Sequence, residues 1–79
     1  MEIKQEIRSF FQQHVDPALL NDDVDVFKHG LVSSLWSIQL VVFLEKTFNI
    51  SVAGEDMDLE NFNSINNIER YVKRKIAEN

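Results

Sequence analysis

The chain has no cysteine, one proline and two glycines. Without cysteine there is no disulfide framework and no thiolate metal site, so packing alone must hold the fold. No apolar run approaches the roughly 20 residues that span a bilayer, the longest being Leu40–Leu44. Positive charge is scarce as well: 8 Lys and Arg face 13 Asp and Glu, a net charge of −5. That balance argues against nucleic acid as a partner, because a phosphate backbone has to be neutralised by cations. Met1-Glu2-Ile3-Lys4 leads into an amphipathic pattern, not the apolar core of a secretory signal, so a cytoplasmic location and no membrane partner are expected.

What the chain does have is apolar mass: 44% of its 79 residues are hydrophobic, with six Phe and a single Trp. That suffices for one small domain, expected to span residues 1–79 as a stand-alone monomer. Ile3, Ile7, Phe11 and Val15 recur at helical spacing across Glu2–Val15, and Asp16-Pro17 closes this first helix. The connection Ala18–Ser33 shows no period, and its length calls for anchors, for which Val26, Phe27 and Leu31 are the candidates. Gly30 offers a positive-φ position before the second helix.

That second helix, Leu35–Phe48, carries two apolar lines. Leu40, Leu44 and Phe48, flanked by Leu35 and Val41, form the expected buried stripe; Ile38 and Val42, with Trp36 near the start, form another. A small domain is not expected to bury both, so the second line is read as a docking surface, the alternative being that it packs under the long loop. Glu55, Asp56, Asp58 and Glu60 precede Phe62 as an acidic turn that favours a short third helix. Their spacing is not that of a calcium-binding loop, and no metal site is expected. The last helix, Ser64–Ala77, is capped by Ser64 and buries Ile65, Ile68, Val72 and Ile76, with Tyr71 flanking and Lys73, Arg74 and Lys75 near its end. The fold class is all-α: a small four-helix bundle with a long loop between helices 1 and 2 and a short third helix.

No catalytic constellation emerges. His14 and His29 have no nucleophile or carboxylate in a suggestive position, and phosphate-cradling or nucleophile-elbow motifs are missing. An enzyme is therefore not expected. The remaining chemistry lies at Ser33 and Ser34, where one hydroxyl suits a helix cap and the other faces solvent at the positive end of the helix dipole.

Gly30-Leu31-Val32-Ser33-Ser34-Leu35, followed by Ile38-Gln39-Leu40, resembles the signature of acyl and peptidyl carrier proteins. Phe43-Leu44-Glu45-Lys46-Thr47-Phe48-Asn49-Ile50 and Phe62-Asn63-Ser64-Ile65-Asn66-Asn67-Ile68 extend that likeness over essentially the whole chain. The resemblance implies an acyl-carrier-protein-like bundle with 4′-phosphopantetheine attached to Ser34, delivered from coenzyme A by a phosphopantetheinyl transferase. It implies acyl or aminoacyl cargo held as a thioester, supplied by a loading enzyme and passed to downstream synthase or tailoring enzymes. Leu35, Trp36, Ile38, Gln39, Val42 and Glu45 are then the partner-docking residues. Ser33 stands where the family has Asp and is assigned the cap, while remaining the alternative register for the arm. Gln39 and Lys46 replace family acids, which shifts docking towards apolar contact. Leu40–Ile50 looks most like the stand-alone carriers of polyketide or nonribosomal peptide pathways, some of which bear methoxymalonyl-type units or single amino acids. The competing reading is an unmodified interaction module that keeps the carrier fold.

Overall fold

The computed structural model describes residues 2–78, and among them the protein has four α-helices and no strand. Helix α1, Ile3–Gln12, starts where the Glu2 carboxylate accepts from the backbone N–H groups of Lys4 and Gln5, at 3.3 and 3.0 Å. It ends before the predicted Val15. Gln13 and His14 donate to the carbonyls of Phe10 and Phe11, tightening the last turn, and Pro17–Leu19 forms a separate 3₁₀ turn capped by Asp16. Val15 nevertheless remains bonded to the Phe11 carbonyl at 2.8 Å and is buried, so the expected apolar stripe holds past the helix end.

The long connection is fastened at several points. Val26 is fully buried, its N–H donates to the Asn63 carbonyl at 2.9 Å, and its carbonyl accepts from Leu31. Phe27 and Leu31 are half-buried against the same core, as anticipated. Asp22 receives a forked contact from the Arg8 guanidinium, the shortest arm being 2.8 Å, while its carbonyl accepts from the Asn66 N–H. Gly30 takes φ +68° with open space where a Cβ would sit, so glycine is required there for conformation and not for room.

Helix α2, Trp36–Phe48, ends at Asn49 in the left-handed conformation, φ 54°. Leu40 and Leu44 are fully buried and Phe48 and Val41 half-buried, but Leu35, predicted to flank this stripe, is 73% exposed. It precedes the helix and faces solvent. Helix α3, Leu59–Phe62, is capped by the Asp58 carboxylate, which accepts from the Glu60 N–H at 3.0 Å, and Phe62 is buried. Helix α4, Ile65–Glu78, is capped as expected by Ser64, whose Oγ accepts from the Asn67 N–H at 3.1 Å. Ile65, Ile68, Tyr71 and Val72 face the core. Ile76, placed in that stripe by its spacing, is exposed because α4 runs on past the end of its neighbours' packing. Helices α1, α2 and α3 all pack on α4. None of the described helices is long and apolar enough to cross a membrane.

The acidic turn is more than a solvated surface. Asp56 accepts from the Tyr71 hydroxyl at 2.9 Å and pairs with Lys75 at 3.5 Å, fastening the 3₁₀ turn Gly54–Asp56 to α4. The Tyr71 hydrogen bond, with Lys75 assisting, holds the Asp56 carboxyl below its ordinary pKa. Burial, then the bond to Asp56, pushes the Tyr71 phenol well above its own. Asp56 therefore stabilises the fold above the ordinary carboxylate range, a contribution that fades as pH falls through it. Tyr71 does so below the ordinary phenol pKa of about 10, fading as pH rises past it. In urea melts across pH, Tyr71→Phe should lose most stability relative to the parent between roughly pH 5 and 9, the gap narrowing at both extremes. A gap independent of pH would show that this pair does not couple protonation to folding.

Candidate functional site

Ser33 and Ser34 are exposed immediately before α2. The approach to the helix is a run of tight turns. The Ser33 carbonyl accepts from the Trp36 N–H at 3.0 Å, that of Ser34 from Ser37 at 3.2 Å, and that of Leu35 from Ile38 at 3.2 Å. Ser37 is buried, and its hydroxyl also donates to the Ser34 carbonyl, at 2.6 Å. The carbonyl of Ser34 is thus held by two donors of Ser37 while its side chain is not held. Among the described residues the Ser34 hydroxyl has no hydrogen-bond partner, and the N–H groups of Ser34 and Leu35 have none either.

The capping role expected of Ser33 is not observed. The N-cap position of α2 belongs to Leu35, with helical φ −67° and ψ −26°, and no side chain caps it. A capping hydroxyl needs extended backbone to swing back over the first turn. Here that turn is closed by main-chain carbonyls instead. The same bonds engage the N–H groups of Trp36, Ser37 and Ile38, leaving those of Ser34 and Leu35, with the helix dipole, as the groups open to an anion. Two unengaged N–H groups beside an exposed hydroxyl fit a phosphate esterified there.

Of the residues expected to dock partners, Leu35, Ile38 and Val42 are 73, 58 and 43% exposed and lie along one side of α2, with Gln39 exposed beside them. Trp36 does not join them. It is buried among Phe10, Phe11, His14 and Phe27, with ring centroids 5.0 Å from Phe11 in an edge-on pair. Two residues of helix carry the chain about 200° round, so Trp36 and Ile38 face opposite ways. Glu45 is not a free rim residue either: its carboxylate accepts from the Val52 N–H at 2.9 Å and fastens the loop after α2. Met57, just ahead of α3, and Leu59, its first residue, are also exposed, apolar positions that sequence reasoning missed because too short a segment carries no period.

A depression of about 300 Å³ opens where Ser33 and Leu35, the two neighbours of Ser34, meet Leu31, Val32, Trp36 and Gln39, with His14 at the end of α1 completing it. A larger polar hollow of about 450 Å³ lies against α3 and α4, including Asn61, Asn67, Arg70 and Arg74, away from the serines. Among the described residues no three His, Asp or Glu side chains are grouped to hold a metal ion.

A helical bundle that presents a firmly held main chain and an open serine hydroxyl has the form of a prosthetic-group carrier. The chain belongs to the family of phosphopantetheine attachment-site domains, whose family model matches residues 2–72. It is a carrier protein bearing covalent 4′-phosphopantetheine, not an enzyme. Its relatives include the D-alanyl carrier protein of Lactococcus lactis subsp. cremoris strain MG1363, 40% identical over 57 residues, 72% of each chain. The D-alanyl carrier protein of Bacillus velezensis is 33% identical over 70 residues, 86% of this chain and 90% of the relative. That of Streptococcus suis is 31% identical over 72 residues, 86 and 87% of the two chains.

Because Ser33 makes no capping bond, Ser33→Ala should leave the unfolding free energy within about 0.5 kcal/mol of the parent. Ser64→Ala should cost about 1 kcal/mol, since it removes a cap that is made. Equal losses in the two variants, measured by chemical denaturation, would restore the capping role to Ser33.

Proposed function

We propose that Ser34 carries the 4′-phosphopantetheine arm and that the protein holds an acyl or aminoacyl group as a thioester for partner enzymes. The observation that supports this reading most is the divided state of Ser34: carbonyl held by Ser37 from two atoms, hydroxyl exposed and unpartnered. In the transfer, the Ser34 oxygen bonds to the arm-bearing phosphorus, the pyrophosphate P–O bond to the nucleotide half of coenzyme A breaks, and the hydroxyl proton passes to a base of the transferase as the nucleotide leaves. When bound, the arm supplies the terminal thiol that this cysteine-free chain lacks. The N–H groups of Ser34 and Leu35 and the dipole of α2 favour the phosphodiester charge. Leu35, Ile38 and Val42, with Gln39, form the surface on which the transferase and loading enzyme sit.

The relatives are named D-alanyl carrier proteins, which favours an aminoacyl cargo, with D-alanine the first to test. The alternative setting, a polyketide or nonribosomal peptide pathway, is supported by the likeness through Leu40–Ile50.

Incubation with coenzyme A and a broad-specificity phosphopantetheinyl transferase should add the mass of one arm to the parent and to Ser33→Ala, and none to Ser34→Ala. Ile38→Glu should keep the fold and slow the addition severalfold. An adduct that persists in Ser34→Ala would move the site, and a parent protein that takes no arm would remove it. Loading of the modified protein by a D-alanine-activating ligase, against enzymes activating other amino or carboxylic acids, separates the cargo classes.

A further inference from the structure

We propose that the arm on Ser34 does not range freely in solvent but rests in the depression between the end of α1, residues 31–33 and the start of α2. Trp36 forms its wall, and the indole N–H of that residue is the donor the arm satisfies. The inference rests on Ser34 as the attachment point and concerns where the arm then lies.

Four features carry it. The depression begins at the tether, since the residues on either side of Ser34, Ser33 and Leu35, both line it. At about 300 Å³ it stands at the lower end of small-molecule sites, which run from roughly 300 Å³ upward, a size suited to a slender chain and not to a bulky ligand. Its lining offers both apolar and polar partners to the arm. Leu31, Val32 and Leu35 offer apolar surface to the arm's methyl and methylene stretches, and the Gln39 amide can both give and accept a hydrogen bond with the arm's own amides. The Trp36 indole nitrogen, finally, is buried and has no hydrogen-bond partner among the described residues. Buried donors in native proteins are nearly always paired with protein or with an ordered water, so this one has room for an acceptor from outside the chain. An amide carbonyl of the arm is such an acceptor. Leu35, mostly exposed, is the side of the depression with most freedom to move and admit it.

This depression overlaps the docking surface at Leu35 and Gln39, while Ile38 and Val42 lie outside it. A resting arm would therefore leave Ile38 and Val42 clear for a partner. Contact at Leu35 then offers a route by which docking releases the arm.

Trp36 is the only tryptophan in the chain and so reports its own surroundings. The test compares isotope-labelled protein before and after enzymatic attachment of the arm, with mass confirming one adduct on Ser34. Expected are a shift of the single indole N–H resonance, backbone shifts at His14, Leu31, Val32 and Gln39, and nuclear Overhauser contacts from the arm's methyl groups to the Val32 and Trp36 side chains. Asn67 and Arg70, in the distant hollow, should not move. Shifts confined to Ser33–Leu35, a stationary indole signal and no arm-to-protein contacts in protein of confirmed mass would overturn the inference while leaving the attachment site intact. No mass increase at all would overturn the Ser34 assignment and the resting position with it.

Discussion

The burial of Trp36 against the aromatic side of α1 sets the rotation of α2, and the functional end of the molecule depends on that rotation. With Trp36 wedged edge-on against Phe11, and Phe43 stacked 4.3 Å from Phe10, α2 is gripped at its first turn and again two turns later. Leu40 and Leu44 follow Trp36 inward at helical spacing. Leu35, Ile38 and Val42 are then turned outward, and an apolar line is left on the surface by geometry. Edge-on and offset aromatic pairs add about 0.5–1.5 kcal/mol each beyond simple burial, which suits a role in fixing orientation.

A second constraint places the residues before Ser34. The long connection cannot hold itself by periodicity, because it has none. It is held instead by Val26 in the core, by main-chain bonds from Val26 to Asn63 and from Asn66 to Asp22, and by the Arg8 fork on Asp22. Exposed ion pairs alone contribute little. The buried valine and the main-chain bonds are what carry residues 31–33 to the start of α2. Gly30 then supplies a positive-φ turn in this connection that an L side chain would resist. Ser34 is presented by this convergence of loop and helix, not by a cap.

Much of this was legible in the sequence, and the exceptions share a cause. Helical spacing located α1, α2 and α4, and acids ahead of Phe62 located α3, because period and dipole are local properties. Ser64 was correctly read as a cap. Trp36 was misplaced because it sits beside an apolar line in the sequence, while its partners, Phe10, Phe11 and Phe27, come from other segments. Glu45 looked like a rim residue because its acceptor role depends on a loop that folds back seven residues later. Ser33 looked like a cap because serine before a helix usually is one, and only the tight turns closing on Ser33 and Ser34 show that the donors are already engaged. Local chemistry was readable; contacts assembled by the tertiary fold were not.

Membership of the phosphopantetheine attachment family gives this chain its arm, and the geometry bears on which serine holds it. Three serines, Ser33, Ser34 and Ser37, fall on the single tryptic peptide His29–Lys46. Fragmentation of that peptide from the modified protein, by a method that preserves the phosphodiester, locates the arm residue by residue. The account predicts that the added mass first appears in fragments that include Ser34 and is missing from those that stop at Ser33. Its appearance on Ser33 or on the buried Ser37 would contradict it.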